Sequence, residues 1–178
     1  KYDKLKLKPY IKKIIFDRVD ILNKNYISVH IRRTDHIKLA KMRNYYTTDE
    51  DFIDFLDKSY KNIYIATDNK NSYNKFKEKY QERIKFEYHQ TNEKSLRQTS
   101  LQDAIIDMYM CVYSNDFKGS GWSSFSNLIK NLRMINSRLL SDSDDRGNIK
   151  AKVGLNTKLN IDNDSKITFN KTSDNNFK

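Results

Sequence analysis

The feature that most limits what this chain can become is a repeated unit. A short run of β-branched and aromatic residues stops at a polar cluster, and a helical pattern follows. Residues 26–31 (YISVHI) alternate and read as a strand. Residues 49–56 open with acids and carry Phe52, Ile53, Phe55 and Leu56, the pattern of an amphipathic helix with an acidic start. Residues 63–66 (IYIA) form a second buried strand, and residues 71–80 place Tyr73, Phe76 and Tyr80 on one helical face. Residues 84–88 (IKFEY) predict a further strand. Residues 100–112 make the most apolar helix, 116–118 a short strand, and 123–135 a helix that opens on serines. Ahead of these, Pro9 starts a helix over 9–19. Strands alternating with helices predict an α/β fold. We expect a Rossmann-like parallel sheet with helices on both faces, over roughly residues 20–140.

The ends of the chain read differently. From residue 141 to 178, Asp, Asn, Ser, Lys and Thr dominate and apolar residues are isolated. This second segment is expected to be a polar tail, either disordered or an expression remnant, with residues 166–169 able to add an edge strand. The chain opens on Lys1 without an initiator Met and is therefore expected to be a fragment or a processed product. It shows no signal-peptide pattern and no apolar run near the roughly 18 residues of a membrane helix, and the compartment stays open. One cysteine, Cys111, excludes an internal disulfide framework and reads as a buried thiol. The net charge of +11 suits an anionic partner, yet the lysines are scattered and no aromatic-interleaved basic motif marks a specific nucleic-acid binder.

In open α/β sheets, ligands bind beyond the carboxyl ends of the strands. Three polar clusters stand there: His30-Ile31-Arg32-Arg33-Thr34-Asp35, Thr67-Asp68-Asn69, and Gly119-Ser120-Gly121-Trp122-Ser123-Ser124. An arginine fork can hold a diphosphate through paired donors. Serines and free N–H groups at a helix start also favour phosphate. Asp68 and Asp107 can accept paired N–H donors such as guanine presents. The expectation is a nucleoside-diphosphate crevice. Each reading has a plainer rival: Asp68 as a helix cap, Arg32 and Arg33 as ion-pair partners of Asp35, Tyr45 and Tyr46 as core packing. Asp103 competes with Asp107. Asp142-Ser143-Asp144 matches a metal-binding Asp-x-Asp but follows no strand, and His36 and His89 lack ligand spacing, so no metal site is expected.

HIRRTDH resembles the first motif of the α1,6-fucosyltransferases and protein O-fucosyltransferases. IYIATDN resembles their second, and SLQDAIID with NDFKGSGWSSFS their third region. The resemblance covers roughly residues 5–135. It implies one half of a two-domain GT-B glycosyltransferase that binds GDP-fucose and transfers fucose to a glycan or glycoprotein hydroxyl. It implies inversion, no metal and no other cofactor, and an N-terminal half outside this sequence. By the same resemblance Arg32 holds the β-phosphate, Arg33 supports it and Asp35 belongs to the donor site. His30 and Asp107 meet the guanosine, Asp68 organises the crevice, and Ser123, Ser124 and Phe125 line the phosphate and base pocket. Where the α1,6 enzymes carry a Glu five residues after the motif Asp, this chain has Ala40. Asn69 replaces their second Asp and Phe125 their Gln, so the resemblance supplies no catalytic base. It implies a dissociative route in which GDP departs first. The alternatives are a non-catalytic nucleotide-sugar-binding module and a transferase with another donor.

Overall fold

The computed structural model describes residues 7–34, 37–88, 100–142, 157–161 and 167–171. Its centre is a parallel sheet of three strands, β1 (Tyr26–Ile31), β2 (Asn62–Thr67) and β3 (Asp116–Gly119), in the order β2-β1-β3. Among the described residues the α-helices are α1 (Pro9–Ile21), α2 (Ile37–Met42), α3 (Asp49–Leu56), α4 (Lys70–Tyr80), α5 (Leu101–Tyr113) and α6 (Ser124–Asp142). Every residue of β1 is buried, as expected of a central strand covered on both faces.

The two faces follow from the period of two. Ile27, Val29 and Ile31 point to one side, where Phe52 and Leu56 of α3 and Tyr73, Phe76 and Tyr80 of α4 close over them. Phe52 is fully buried and meets Phe76 edge to face with ring centroids 6.4 Å apart. Burial of one such ring is worth roughly 2–3 kcal/mol. Tyr26, Ser28 and His30 point to the other side, which is covered by α1, α5 and α6. There the packing includes buried polar pairs. Ser28 and Ser114 share a hydrogen bond of 2.7 Å, and Tyr26 donates to the Met110 carbonyl at 2.7 Å. Arg133 of α6 reaches back to the carbonyls of Cys111 and Ser114, the last turn of α5. Such a cation satisfies the open carbonyls of a helix end and fixes where β3 begins. Cys111 is fully buried, and burial pushes its thiol well above the usual range.

Three features differ from the sequence reading. Residues 84–88 form no strand. Only Ile84 bridges to Ile63, and the chain then turns away with Phe86 and Tyr88 packed beside β2. Second, α2 escaped notice because six residues are too few to show a helical period. Third, α6 runs past residue 141, and residues 167–169, the described part of the 166–169 stretch, do not extend the parallel sheet. They belong to the strand Ile167–Lys171, which pairs antiparallel with Thr157–Ile161 in a separate two-stranded sheet.

Candidate functional site

From β1 the chain crosses through α2 and α3 to β2 on one side, then returns through α4 and α5 to β3 on the other. The direction of winding therefore reverses at β1. The carboxyl ends of β1 and β3 at this reversal mark the crevice position where such sheets take ligands. His30 pairs with Gly119 in the β1–β3 register and with Ala66 in the β1–β2 register. The three sequence clusters thus emerge side by side.

Asp68 is the hub. It is buried, and it accepts the backbone N–H of Arg33 at 2.8 Å and the Thr34 hydroxyl at 2.6 Å. The Thr34 N–H approaches at 3.4 Å, and Arg32 Nε lies 3.2 Å away. The carboxylate folds the loop after β1 around itself. It does not cap α4. That task falls to Asn69, whose side chain accepts from Ser72 N at 2.8 Å. Ser120 locks the same loop from the β3 side: its N–H and hydroxyl both donate to the His30 carbonyl, and its oxygen accepts Arg32 N at 2.9 Å.

The two arginines divide. Arg32 keeps its side chain 37% exposed at the crevice, with Asp68 gripping its Nε edge. Arg33 is buried and turned the other way. It donates to the Thr47 carbonyl and to Asp49 and lies over the rings of Tyr46 and Phe52. In this arrangement Arg33 ties α3 to the β1 loop and presents no fork to the crevice. Asp35 lies outside the described residues, as do His36 and His89.

The β3 loop is built against the segment after α2. Gly121 N donates to Thr47 Oγ1 at 2.8 Å, and a Cβ on Gly121 would sit 2.0 Å from the Tyr45 carbonyl oxygen. Only glycine allows that approach. Trp122 follows with φ of 56°, a conformation that costs a large side chain on the order of 1 kcal/mol or more. Its ring stacks on Tyr45 with centroids 5.2 Å apart, so Tyr45 is exposed and not core. Ser123 then sits buried at the start of α6, with Ser126 N 3.3 Å from its hydroxyl, while Ser124 is exposed on the first turn. Phe125 meets the His30 ring at 4.8 Å, and His30 Nδ1 shares a 2.7 Å hydrogen bond with Ser126.

Asp107 lies apart from this cluster, in a small cleft beside β2. Arg18 of α1, Tyr64 and Thr67 of β2, Tyr88, and Asp103 and Asp107 of α5 line it. Tyr64 donates to Asp107 Oδ1 at 2.7 Å. Burial raises the Asp107 carboxyl to about 7, against the opposing pull of the Tyr64 hydrogen bond and Arg18. Asp103 is tied to Ser100, whose hydroxyl donates to it at 2.7 Å. The Tyr88 hydroxyl is buried without a hydrogen-bond partner among the described residues. Burial and the charges of Asp68 and Asp107 raise its pKa, which puts it within electrostatic reach of both the hub and the cleft.

Sequence reasoning missed Ser120, Thr47, Tyr64, Tyr88, Arg18 and Ser126 as site residues. Ser120 stood inside a quoted cluster. The others act through tertiary contacts with no local signal.

The profile of the family described as GDP-fucose protein O-fucosyltransferase matches residues 3–136. No curated protein matches the chain.

Proposed function

Because the chain belongs to the GDP-fucose protein O-fucosyltransferase family and is a glycosyltransferase domain with GDP-fucose as donor, we propose that the crevice at β1 and β3 holds the diphosphate and the cleft beside β2 the guanine. The observation that carries this is the Arg32 geometry: an arginine at the winding reversal, exposed to the crevice and braced by Asp68 and Ser120. A braced fork offers charge at a fixed place, and donors aimed where charge develops lower a barrier. In the proposed reaction the bond from the fucose anomeric carbon to the β-phosphate oxygen breaks, the electron pair stays on GDP, and Arg32 offsets its charge. The acceptor hydroxyl then attacks the opposite face and releases its proton to solvent. The outcome is inversion, and Arg32 takes the part a metal plays elsewhere. Ala40 is buried in α2, so that position offers no base. This supports a route led by the leaving group. A second domain of a GT-B arrangement, outside this sequence, completes the acceptor side on a glycan or glycoprotein.

Within the site, Ser123, Ser124 and the α6 N–H groups face the phosphates, Phe125 and His30 border the diphosphate crevice, and Arg33 acts as scaffold. Calorimetric titration of GDP, UDP, ADP and CDP tests the reading. GDP should bind tightest, and Asp107→Asn should weaken GDP while leaving the circular dichroism spectrum unchanged. Equal or tighter UDP binding would remove GDP-fucose as the donor.

A further inference from the structure

The cleft beside β2 contains a chain of contacts that reaches Asp107 from two elements. Arg18 Nη1 donates to the Tyr64 hydroxyl at 3.3 Å, and that hydroxyl donates to Asp107 Oδ1 at 2.7 Å. Arg18 is held in turn by the face of Phe86, 5.3 Å from its centroid. Tyr64 is buried on β2 and meets Phe86 edge to face, so its hydroxyl has little freedom. Among the described residues Tyr64 is the one donor to Asp107. A carboxylate needs a donor of this kind to remain charged where water is scarce.

We propose that Tyr64 and Arg18 are positioning residues for base recognition: together they orient the Asp107 carboxylate and hold it ionised, so that it can accept the paired N–H donors of a purine edge. The proposal rests on the reading of the cleft as the base end of the donor site, and adds the two residues that make Asp107 competent there. The groups that face Asp107 are Arg18 from α1, Tyr64 from β2, Glu87 and Tyr88 from the segment after α4, and Asp103 and Cys111 from α5 itself. Arg18 and Tyr64 alone lower its pKa; Asp103 raises it, and burial raises it most. With the carboxyl at about 7, the relay decides how much of the ionised form exists near neutrality.

The test uses Tyr64→Phe, which keeps the ring and removes the hydroxyl, with Arg18→Gln as a second variant that leaves the core untouched. The Asp107 carboxyl is followed by ¹³C NMR in the free chain, assigned with Asp107→Asn, and GDP affinity is measured from pH 6 to 9. Losing one hydrogen bond from the charged form raises a carboxyl by about one pH unit or more, which at pH 7 lowers the ionised fraction roughly fivefold. The expected result is an upward move of the Asp107 titration, a matching move of the acid limb of GDP binding, and affinity that recovers towards wild type at pH 9. Arg18→Gln should do the same to a smaller extent. Equal weakening at every pH, or an unmoved titration, overturns the relay. A titration that moves without moving GDP binding overturns its role in recognition. If wild type fails to prefer GDP, the base-end reading falls, and the recognition role with it. The NMR titration still reports separately on the contact between Tyr64 and Asp107.

Discussion

The loop cluster at the ends of β1 and β3 and the cleft beside β2 both take polar groups out of water, but they complete them differently. In the cluster every named group has several partners: Asp68 gathers Arg32, Arg33 and Thr34, and Ser120 gathers the His30 carbonyl and Arg32 N. In the cleft Asp107 has one donor among the described residues and the Tyr88 hydroxyl none. A closed network fixes geometry before ligand arrives, which suits the place where charge develops during reaction. A half-complete network leaves polar capacity for a ligand to fill, and its buried groups keep shifted pKa values until then.

The sharpest way to break the first region is Asp68→Ala. Two backbone N–H groups, the Thr34 hydroxyl and Arg32 lose their common acceptor. A buried donor left unsatisfied costs about 1–3 kcal/mol. The variant should lose about 3 kcal/mol in chemical denaturation, and GDP binding should disappear with the loop geometry. Wild-type stability with intact GDP affinity would show that Asp68 is not the hub.

Next in size is the contrast between the two arginines. Arg32→Lys keeps a charge but loses the planar fork, and in the full-length enzyme turnover should fall about a hundredfold, as at other preorganised oxyanion sites. Arg33→Lys should leave turnover close to wild type and lower stability by about 1–2 kcal/mol, since its fork serves Thr47 and Asp49. Steady-state kinetics and thermal unfolding of both variants separate the roles. A reversed pattern, with turnover lost in Arg33→Lys and kept in Arg32→Lys, would exchange the two assignments.

How much of this was legible in the sequence depends on the range of the interactions. β1, α3 and α5 were readable because burial stamps its period on consecutive residues, and the three strand-end clusters were readable because strands end where apolar runs end. The stretch 84–88 carries the composition of a strand, yet after the Ile84 bridge its aromatic residues pack against α1, β2 and α4 and are not laddered. Composition reports burial and not hydrogen-bond register. The different fates of Arg32 and Arg33 were beyond reach for a similar reason. Adjacent residues after a strand point opposite ways, and which way holds the ligand depends on where Thr47 and Asp49 lie. Tyr64 looked like one more apolar strand residue until its hydroxyl was found against Asp107, 43 positions away.

The smallest expected effect tests whether the closed network extends down the inner face to His30. Ser126 is fully buried, its hydroxyl 2.7 Å from His30 Nδ1, and its Cβ packs where a side chain on Gly119 would fall. Ser126→Ala removes one oxygen and leaves that packing in place. The loss of one intramolecular hydrogen bond should cost about 1 kcal/mol, read from the urea midpoint at an unchanged slope. The functional consequence should be separate and small. Phe125 still contacts the ring at 4.8 Å, so His30 stays in place but loses the partner that fixes its tautomer. GDP affinity should fall a few fold, about 1 kcal/mol again, and the His30 ring nitrogens should change shift in ¹⁵N spectra. If the nitrogen shifts and the affinity stay as in wild type, the Ser126 hydrogen bond does not orient the histidine. The preorganised region then ends at Ser120, and ligand rather than fold sets the orientation of the His30 ring.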